Sequence, residues 1–279
     1  MKFSLILATL NRHNEIKECL ISLEQQEYKK FEVIVIDQSD DTLTEEVVSE
    51  FKKLNIQYFS VDFKGLSRAR NFGLQYASGE YCCLMDDDAT YSKQYLAEAN
   101  RMITTAGCCI LSGKILSMSD HKTPFVRYKD NKNGCELNAT DVMAFCPSAA
   151  LIFPTKSIFE CGIFDERLGV GNKHASGEET DFLLRLYDKG YKIIFCNSMI
   201  AYHPIKPVCS LEPLYNHYLG KGALFKIDLI QRKKLRLISL FVKNTLGMII
   251  KAYLLDIKSK EIYLTRLKGF IDGVVTFKL

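Results

Sequence analysis

The chain has 279 residues, with 37 Lys and Arg against 33 Asp and Glu for a formal net charge of +4. That length accommodates one large domain, or one domain with an appended piece, and the composition is that of a folded protein with a sizeable core. So slight a charge gives no bulk electrostatic reason to expect a nucleic-acid partner. The ten cysteines (Cys19, Cys82, Cys83, Cys108, Cys109, Cys135, Cys146, Cys161, Cys196 and Cys209) contain no C-x-x-C pair, and several stand inside apolar runs. They read as small core residues in a reducing compartment rather than as disulfides or zinc ligands.

The opening MKFSLILATLNRHNE carries one Lys and a short apolar run, then turns polar with no small-residue cleavage site. It reads as a first strand and not as a signal peptide, and the expected compartment is the cytosol. The strand covers Lys2 to Ala8 and ends at Thr9-Leu10-Asn11-Arg12. Ile16, Leu20 and Leu23 then recur at helical spacing, which predicts a helix ending near Gln26. Phe31 to Ile36 is apolar on consecutive positions, the pattern of a strand covered on both faces, and stops at Asp37. A polar helix from Thr44 to Leu54 and a short strand at Ile56 to Val61 follow. Strand and helix alternate, so a mostly parallel sheet flanked by helices is the expected α/β architecture.

After Gly65-Leu66-Ser67-Arg68-Ala69-Arg70-Asn71 and a helix through Ala77, the run Tyr81 to Met85 drives straight into Asp86, Asp87 and Asp88. Three adjacent carboxylates at the end of a buried strand repel one another unless a cation or a donor-rich ligand sits among them. A solvated acidic turn is the competing reading. Thr9, Asp37 and Asp86 to Asp88 all occupy strand ends, where open parallel sheets collect their ligands.

A helix from Ser92 to about Thr105 and a strand at Cys108 to Leu111 come next. The polar stretch Ser117 to Ala139 reads as a loop over or beside the site, and Val142 to Pro154 resumes an apolar run broken at Pro147-Ser148. Ser176-Gly177-Glu178-Glu179-Thr180-Asp181 opens a helix that ends at Gly190. Acids in a first helical turn complement the helix dipole, but Gly and three acids exceed what capping requires. A strand from Tyr191 leads to Tyr202-His203-Pro204, where a lone His is either a loop residue or a ligand.

From Ser210 the character changes. Gln231 to Arg236 is strongly basic, and on a helical wheel Arg236, Ser239, Lys243, Gly247 and Lys251 form one stripe beside a broad apolar face. That arrangement suits a helix in a membrane interface over anionic lipid, or an amphipathic helix packed on the catalytic domain or on another subunit. Two lysines within the run argue against a spanning helix. A second segment, Ile262 to Phe277, repeats the mixture and is a candidate interface for homo-oligomerisation.

Five stretches in order, SLILATLNR, EVIVIDQSDD, GLSRARNFGLQYASGEYCCLMDDDATY, FDERLGVG followed by GEETDF, and YHP, resemble the family-2 inverting glycosyltransferases of the GT-A fold. The resemblance covers roughly residues 1 to 205. It implies a catalytic domain over 1–209 and a basic amphipathic helical tail over 210–279. It also implies that Thr9 and Asp37 hold the uracil or thymine of a nucleotide-sugar, with Asn11 in the same nucleotide-sugar site, and that Arg68 and Arg70 approach the diphosphate or its ribose. Asp86 and Asp87 then lie near the nucleotide, and Asp86, Asp88 and His203 bind Mn2+ or Mg2+. The family's helix-start pair is Glu-Asp with the second acid as general base. Here Glu179 stands at that position, with Glu178 and Asp181 as alternatives.

The implied reaction moves a sugar from a UDP-sugar, or a dTDP-sugar, to a saccharide or lipid-linked saccharide. It is expected at the cytosolic membrane face, with peripheral contact through 232–257, in cell-surface polysaccharide synthesis. A sugar nucleotidyltransferase is disfavoured because ATLNRHNE is not a Gly-rich phosphate loop. A degenerate module that binds nucleotide or lipid without transfer remains the other alternative. Nucleic-acid binding by Arg232 to Arg236 lacks the interleaved aromatics expected for single strands.

Overall fold

The computed structural model describes residues 1–125, 134–205, 210–254 and 257–279. Cys209 and parts of the 117–139 and 232–257 segments therefore lie outside the described residues. The chain divides into two compact units, one formed by Met1–Ile163 with Phe182–Ile205 and the other by Phe164–Asp181 with Lys206–Leu279.

The first unit is built in chain order from β1 (Phe3–Thr9), α1 (His13–Glu24), β2 (Phe31–Asp37), α2 (Leu43–Ser49), β3 (Ile56–Ser60), α3 (Leu66–Leu74), β4 (Tyr81–Asp86), β5 (Thr90–Tyr91), α4 (Tyr95–Ala106), β6 (Cys109–Ser117), β7 (Cys135–Leu137), α5 (Ala139–Phe145), a short 3-10 turn (Ser148–Ala150), β8 (Leu151–Pro154) and α6 (Ser157–Cys161). After the helix α7 (Glu178–Asp188), whose first turn falls in the second unit, β9 (Lys192–His203) completes it. The strands form one sheet in the order β3-β2-β1-β4-β8-β6-β9-β5, with β7 paired to β9. Every residue of β1 and β2 is buried, which is why both read as unbroken apolar runs.

Register then places the polar ends. Thr9 pairs with Asp37 and Ala8 with Asp86 in parallel ladders. β8 runs antiparallel to both β4 and β6, so β6 and its parallel partner β9 run with β4, and His203 opposite Ser117 ends at the same edge. The helix α3 approaches the sheet closely because Gly73 faces it: a Cβ there would stand 3.1 Å from the Ile6 side chain. That approach carries Arg70, one turn earlier, to the strand ends.

The expected loop at 117–139 is corrected in part. Cys135–Leu137 is a strand, held because β9 offers it an open edge in antiparallel register, with Leu137 paired to Ile193. The run at 142–154 likewise opens as helix α5, stopped from fraying by a capping box in which Asn138 and Asp141 satisfy each other's backbone amides. The described cysteines are all free thiols.

The second unit joins the 164–181 segment to α8 (Leu211–Lys226), which runs into a π-helical turn (Ile227–Gln231), and to α9 (Ile238–Leu254) and α10 (Ile257–Thr276). α8 and α10 meet backbone to backbone through glycines. A Cβ on Gly222 would collide with the Phe270 carbonyl and stand 3.0 Å from the Gly273 Cα, and one on Gly269 would meet the Tyr215 carbonyl. Phe225, Phe241 and Phe270 stack beside this contact with centroids 4.7 to 5.8 Å apart.

The basic stripe read from the sequence is corrected here. Asp228 is fully buried, and Arg236 donates to it from Nη2 at 2.6 Å and from Nε at 3.1 Å. Arg236 therefore turns inward, while Lys243 and Lys251 stay exposed beside Val242, Leu246, Ile249 and Ile250. Among the described residues no helix is long and apolar enough to cross a membrane.

Candidate active site

At the carboxyl edge of the sheet Asp87 and Asp88 share one arginine, while Asp86 is held by another. Thr9 Oγ1 donates to Asp87 Oδ2 at 2.8 Å, and Arg12 Nη1 donates to Asp87 Oδ1 at 2.8 Å and to Asp88 Oδ2 at 3.3 Å. Burial pushes the Asp87 carboxyl up, and the Arg12 guanidinium and Thr9 hydroxyl offset this only in part. Asp86 is held from the other side, where Arg70, 1% exposed, donates to Oδ1 at 3.0 Å and Ser148 Oγ donates to the same oxygen at 3.3 Å.

His203 faces Asp86 and Asp88. Its Nε2 lies 3.1 Å from Asp88 Oδ1 and 3.9 Å from Asp86 Oδ2. Nδ1 donates to the Pro204 carbonyl at 2.9 Å, so Nε2 is the nitrogen left for the carboxylates: protonated, it donates to Asp88, and deprotonated, it presents a lone pair to a cation held there. Burial opposes a charge on this imidazole, but Asp88 and Asp86 outweigh it and raise the pKa above the ordinary value. One ligand atom each from Asp86, Asp88 and His203 lies within 4.8 Å of the others. Two carboxylate oxygens and an imidazole nitrogen suit a hard divalent cation of the Mg2+ or Mn2+ type, and an imidazole deprotonated at Nε2 is the form such an ion requires.

The β2 and β3 ends shape the neighbouring surface. Asp37, 1% exposed, accepts from the Ser39 amide at 2.9 Å and from the Tyr58 hydroxyl at 2.7 Å. Asn11 sits at φ +55, a left-handed conformation that Asn tolerates, and its amide donates to Ser39 Oγ at 2.8 Å. A depression of about 490 Å³ opens here, lined by Ser39, Asp40, Val61, Asp62, Phe63 and Phe72. Arg68 is exposed with its guanidinium 4.1 Å from the Phe63 ring centroid, whereas Arg70 on the same helix turns inward to Asp86. The two arginines thus have different surroundings.

The sequence reading gave no part to Arg12, Tyr58 or Ser148. Arg12 had a visible signal, a cation three residues past a polar strand end. Tyr58 and Ser148 come from a neighbouring strand and a distant turn, and only the folded sheet brings them to Asp37 and Asp86.

The helix-start acids belong to the second unit. Gly177 adopts φ +98, which favours glycine, and the Asp181 amide donates to its carbonyl at 2.8 Å to begin α7. Ser176 packs on Gly220 of α8, where a Cβ would stand 2.7 Å from the Ser176 amide, and Ser176 Oγ donates to the His217 carbonyl at 2.7 Å. Asp181, 3% exposed, is paired with Arg232, and Glu178 is 4% exposed. Glu179 is the most accessible of the three.

Among solved structures, residues 1–349 of Staphylococcus aureus TarS in complex with UDP-GlcNAc align with 98% of this chain and 82% of that one, with a TM-score of 0.70 and 23% identity. The mannosyltransferase PcManGT of Pyrobaculum calidifontis with GDP-Man and Mn2+ aligns with 98% of this chain and 86% of its own, with a TM-score of 0.67 and 15% identity. At those identities the likeness is one of fold. In sequence, glycosyltransferase AglE of Haloferax volcanii is 24% identical over 248 residues, 86% of this chain and 79% of AglE. Glycosyltransferase GlyA of Streptococcus pneumoniae serotype 4 is 26% identical over 237 residues, 81% of this chain, which spans only 32% of GlyA. Residues 4–164 match the family described as Glycosyl transferase family 2, more than half of the chain, and with this sheet order and strand-end cluster the protein belongs to glycosyltransferase family 2, with a GT-A-like fold.

Proposed function

We propose that the protein is a metal-dependent inverting glycosyltransferase. It moves a sugar from a nucleoside-diphosphate sugar, UDP-linked before dTDP-linked, to a hydroxyl of a saccharide or lipid-linked saccharide in cell-surface polysaccharide synthesis. The observation that carries this reading is the Asp86, Asp88 and His203 cluster at the carboxyl edge, with Asp86 clamped by a buried Arg70. A divalent cation bound there supplies positive charge for the departing diphosphate. Thr9 and Arg12 hold Asp87, and Arg12 also holds Asp88, so that these carboxylates keep their places as charge arrives.

Glu179 is the general base of this reading. Asp181 is taken up by Arg232 and Glu178 is buried, which leaves Glu179 to accept the proton of the acceptor hydroxyl. As that proton leaves, the acceptor oxygen bonds to the anomeric carbon and the bond from that carbon to the phosphate oxygen breaks. With no protein nucleophile in the sequence of steps, the anomeric configuration inverts.

Thermal stability measured with UDP and Mn2+ tests the nucleotide and metal half, because a ligand that binds only the folded state raises it by mass action. The shift is expected in the native protein and lost in Asp88→Ala. Glu179→Gln should keep the shift and lose turnover by at least about a hundredfold, the scale of a positioned base. Near-normal turnover in that variant overturns the base assignment, and a shift without turnover in the native protein favours a degenerate nucleotide-binding module.

The acceptor is presented at the cytosolic face of a membrane, and 232–257 provides peripheral contact. Val242, Leu246, Ile249 and Ile250 are 46 to 55% exposed on α9, beside Lys243 and Lys251 and with no acid in the helix. That composition suits an interfacial helix on anionic lipid. Co-sedimentation with anionic vesicles should fall in Leu246→Glu/Ile250→Glu, and unchanged binding removes this part of the reading. Arg232 and Arg236 pair with Asp181 and Asp228, so these two charges face carboxylates of the same chain.

A further inference from the structure

The second unit holds two cations that the reaction as described does not use. Lys221 on α8 and Arg266 on α10 both lie over the ring of Tyr218, with Nζ 5.0 Å and Cζ 5.7 Å from its centroid, so the two charges are no more than about 11 Å apart. Arg266 also lies over Tyr263 at 5.1 Å. Neither makes an ion pair with a carboxylate among the described residues, and Arg266 Nε is buried without a hydrogen-bond partner. Elsewhere in the same unit the chain supplies acids to its inward arginines, Asp181 to Arg232 and Asp228 to Arg236. Two like charges left half-buried around one aromatic ring repel each other and pay for lost hydration unless an anion joins them.

Their position gives the anion a role. Gly220, the residue before Lys221, packs on Ser176, two residues before Glu178, and Ser176 also donates to the carbonyl of His217. The turn of α8 that bears Lys221 is therefore docked on the segment that delivers Glu179. Burial pushes the Lys221 ammonium down, Glu179 offsets that only in part, and Arg266 adds to it.

We infer that Lys221 and Arg266 form an anion subsite beside the candidate base, and that the ligand it takes is a phosphate carried by the acceptor. The inference rests on the transferase reading above for the word acceptor, while the subsite stands on this cation pair alone. An ammonium and a planar guanidinium set over one ring offer a phosphate both a point charge and a bidentate fork. A phosphate on the acceptor, anchored there, brings a nearby hydroxyl to Glu179. The chemistry is shared by a soluble polyol phosphate and by a phosphate at a lipid surface.

Calorimetric titration of the full chain with sn-glycerol 3-phosphate and with vesicles containing phosphatidic acid separates those sources, and UDP with Mn2+ reports the donor site. Lys221→Met and Arg266→Met should each weaken organic phosphate binding by about tenfold or more, the scale of one charge-assisted contact, while UDP affinity stays within about twofold. Lys221→Arg should retain phosphate binding. Vesicle binding that falls in the variants while glycerol phosphate binding is too weak to follow assigns the site to a lipid-borne phosphate, and the reverse assigns it to a soluble one. The inference is overturned if the native protein binds neither phosphate, if the variants bind as the native protein does, or if Lys221→Arg fails like Lys221→Met. A parallel fall in UDP affinity also overturns it, since the cations would then serve the donor. Failure of the transferase reading shows separately, as a native protein without metal-dependent UDP binding.

Discussion

The two groups of acids in this chain are held in place by different physics. Asp86, Asp87 and Asp88 end a strand whose neighbours are fixed by ladder register, so the hydrogen bonding of β1, β2 and β4 decides where they stand. Glu178, Glu179 and Asp181 open a helix whose preceding turn is pressed against glycine backbone and whose third acid is tied to an arginine fifty-one residues later. A register shared by three parallel strands is redundant, and a single side-chain change does little to it. A packed turn with one ion pair is not, so the second group should be the more fragile.

Arg232→Met is the strongest challenge to that contrast. The arginine pairs with Asp181 and approaches Asp228 at 3.6 Å, and its removal leaves Asp181 buried without that cation. Breaking one side of a buried pair costs about 3–5 kcal/mol. Urea unfolding should show a loss of that size, and Arg232→Met/Asp181→Asn should recover part of it, since removing both charges leaves none stranded. A loss under about 1 kcal/mol in the single variant would mean that the pair does not hold the helix start.

Gly222→Val tests the helix contact behind it. A side chain there meets the Phe270 carbonyl and the Gly273 backbone, which cannot rotate away as a side chain could. Overpacking against backbone costs about 3 kcal/mol, at the upper end for core insertions. Loss of the near-UV signal from the tyrosines and phenylalanines of α8 and α10 at a lower temperature than in the native protein would register it.

The same contrast explains what could be read from the sequence. The strands β1, β2 and β4 announce themselves as apolar runs, and their polar last residues mark the edge, so Thr9, Asp37, Asp86 and Asp88 were legible as site candidates. His203 was visible only as a lone His, and its place opposite Ser117 depends on β8 running antiparallel between β4 and β6. β7 was missed because three residues with no alternating pattern become a strand only when β9 offers an edge. The inward turn of Arg236 was misread because the helical wheel put it on one stripe with Lys243 and Lys251, whereas it precedes the first residue of α9 and reaches back to Asp228 in the π-helical turn. Gly269 and Gly273 stand four apart, on one face of α10, a spacing that allows a close backbone approach and that the sequence reading did not use.

The smallest of the three effects belongs to the sheet itself and concerns its amino edge, away from the aspartates. Glu32 faces Ser4 in the β1 and β2 register and is 3% exposed, yet it is charged. Burial alone would raise its pKa. Lys2 Nζ at 2.8 Å, Ser4 Oγ at 2.6 Å and the amide and hydroxyl of Ser78 at 2.9 and 2.8 Å outweigh it and hold the carboxyl at about 2, below the ordinary 4.5. A depressed carboxylate pKa contributes stability that is fully present above the ordinary value and is lost as pH falls from about 4.5 toward 2. Because Lys2 is 42% exposed and its charge is screened, the contribution is about 2 kcal/mol rather than the full linkage value. Glu32→Gln should therefore lose about 2 kcal/mol at neutral pH, and the gap to the native protein should narrow as the buffer is taken from pH 7 to about 3. The exposed pair Lys17 and Glu50 makes the control: at 2.7 Å it is as short as the Glu32 contacts, but Lys17→Met should change stability by no more than about 0.5 kcal/mol. A gap for Glu32→Gln that stays constant with pH would show that the side chain acts there through packing and hydrogen bonding alone, and that its charge adds nothing to the join between β1 and β2.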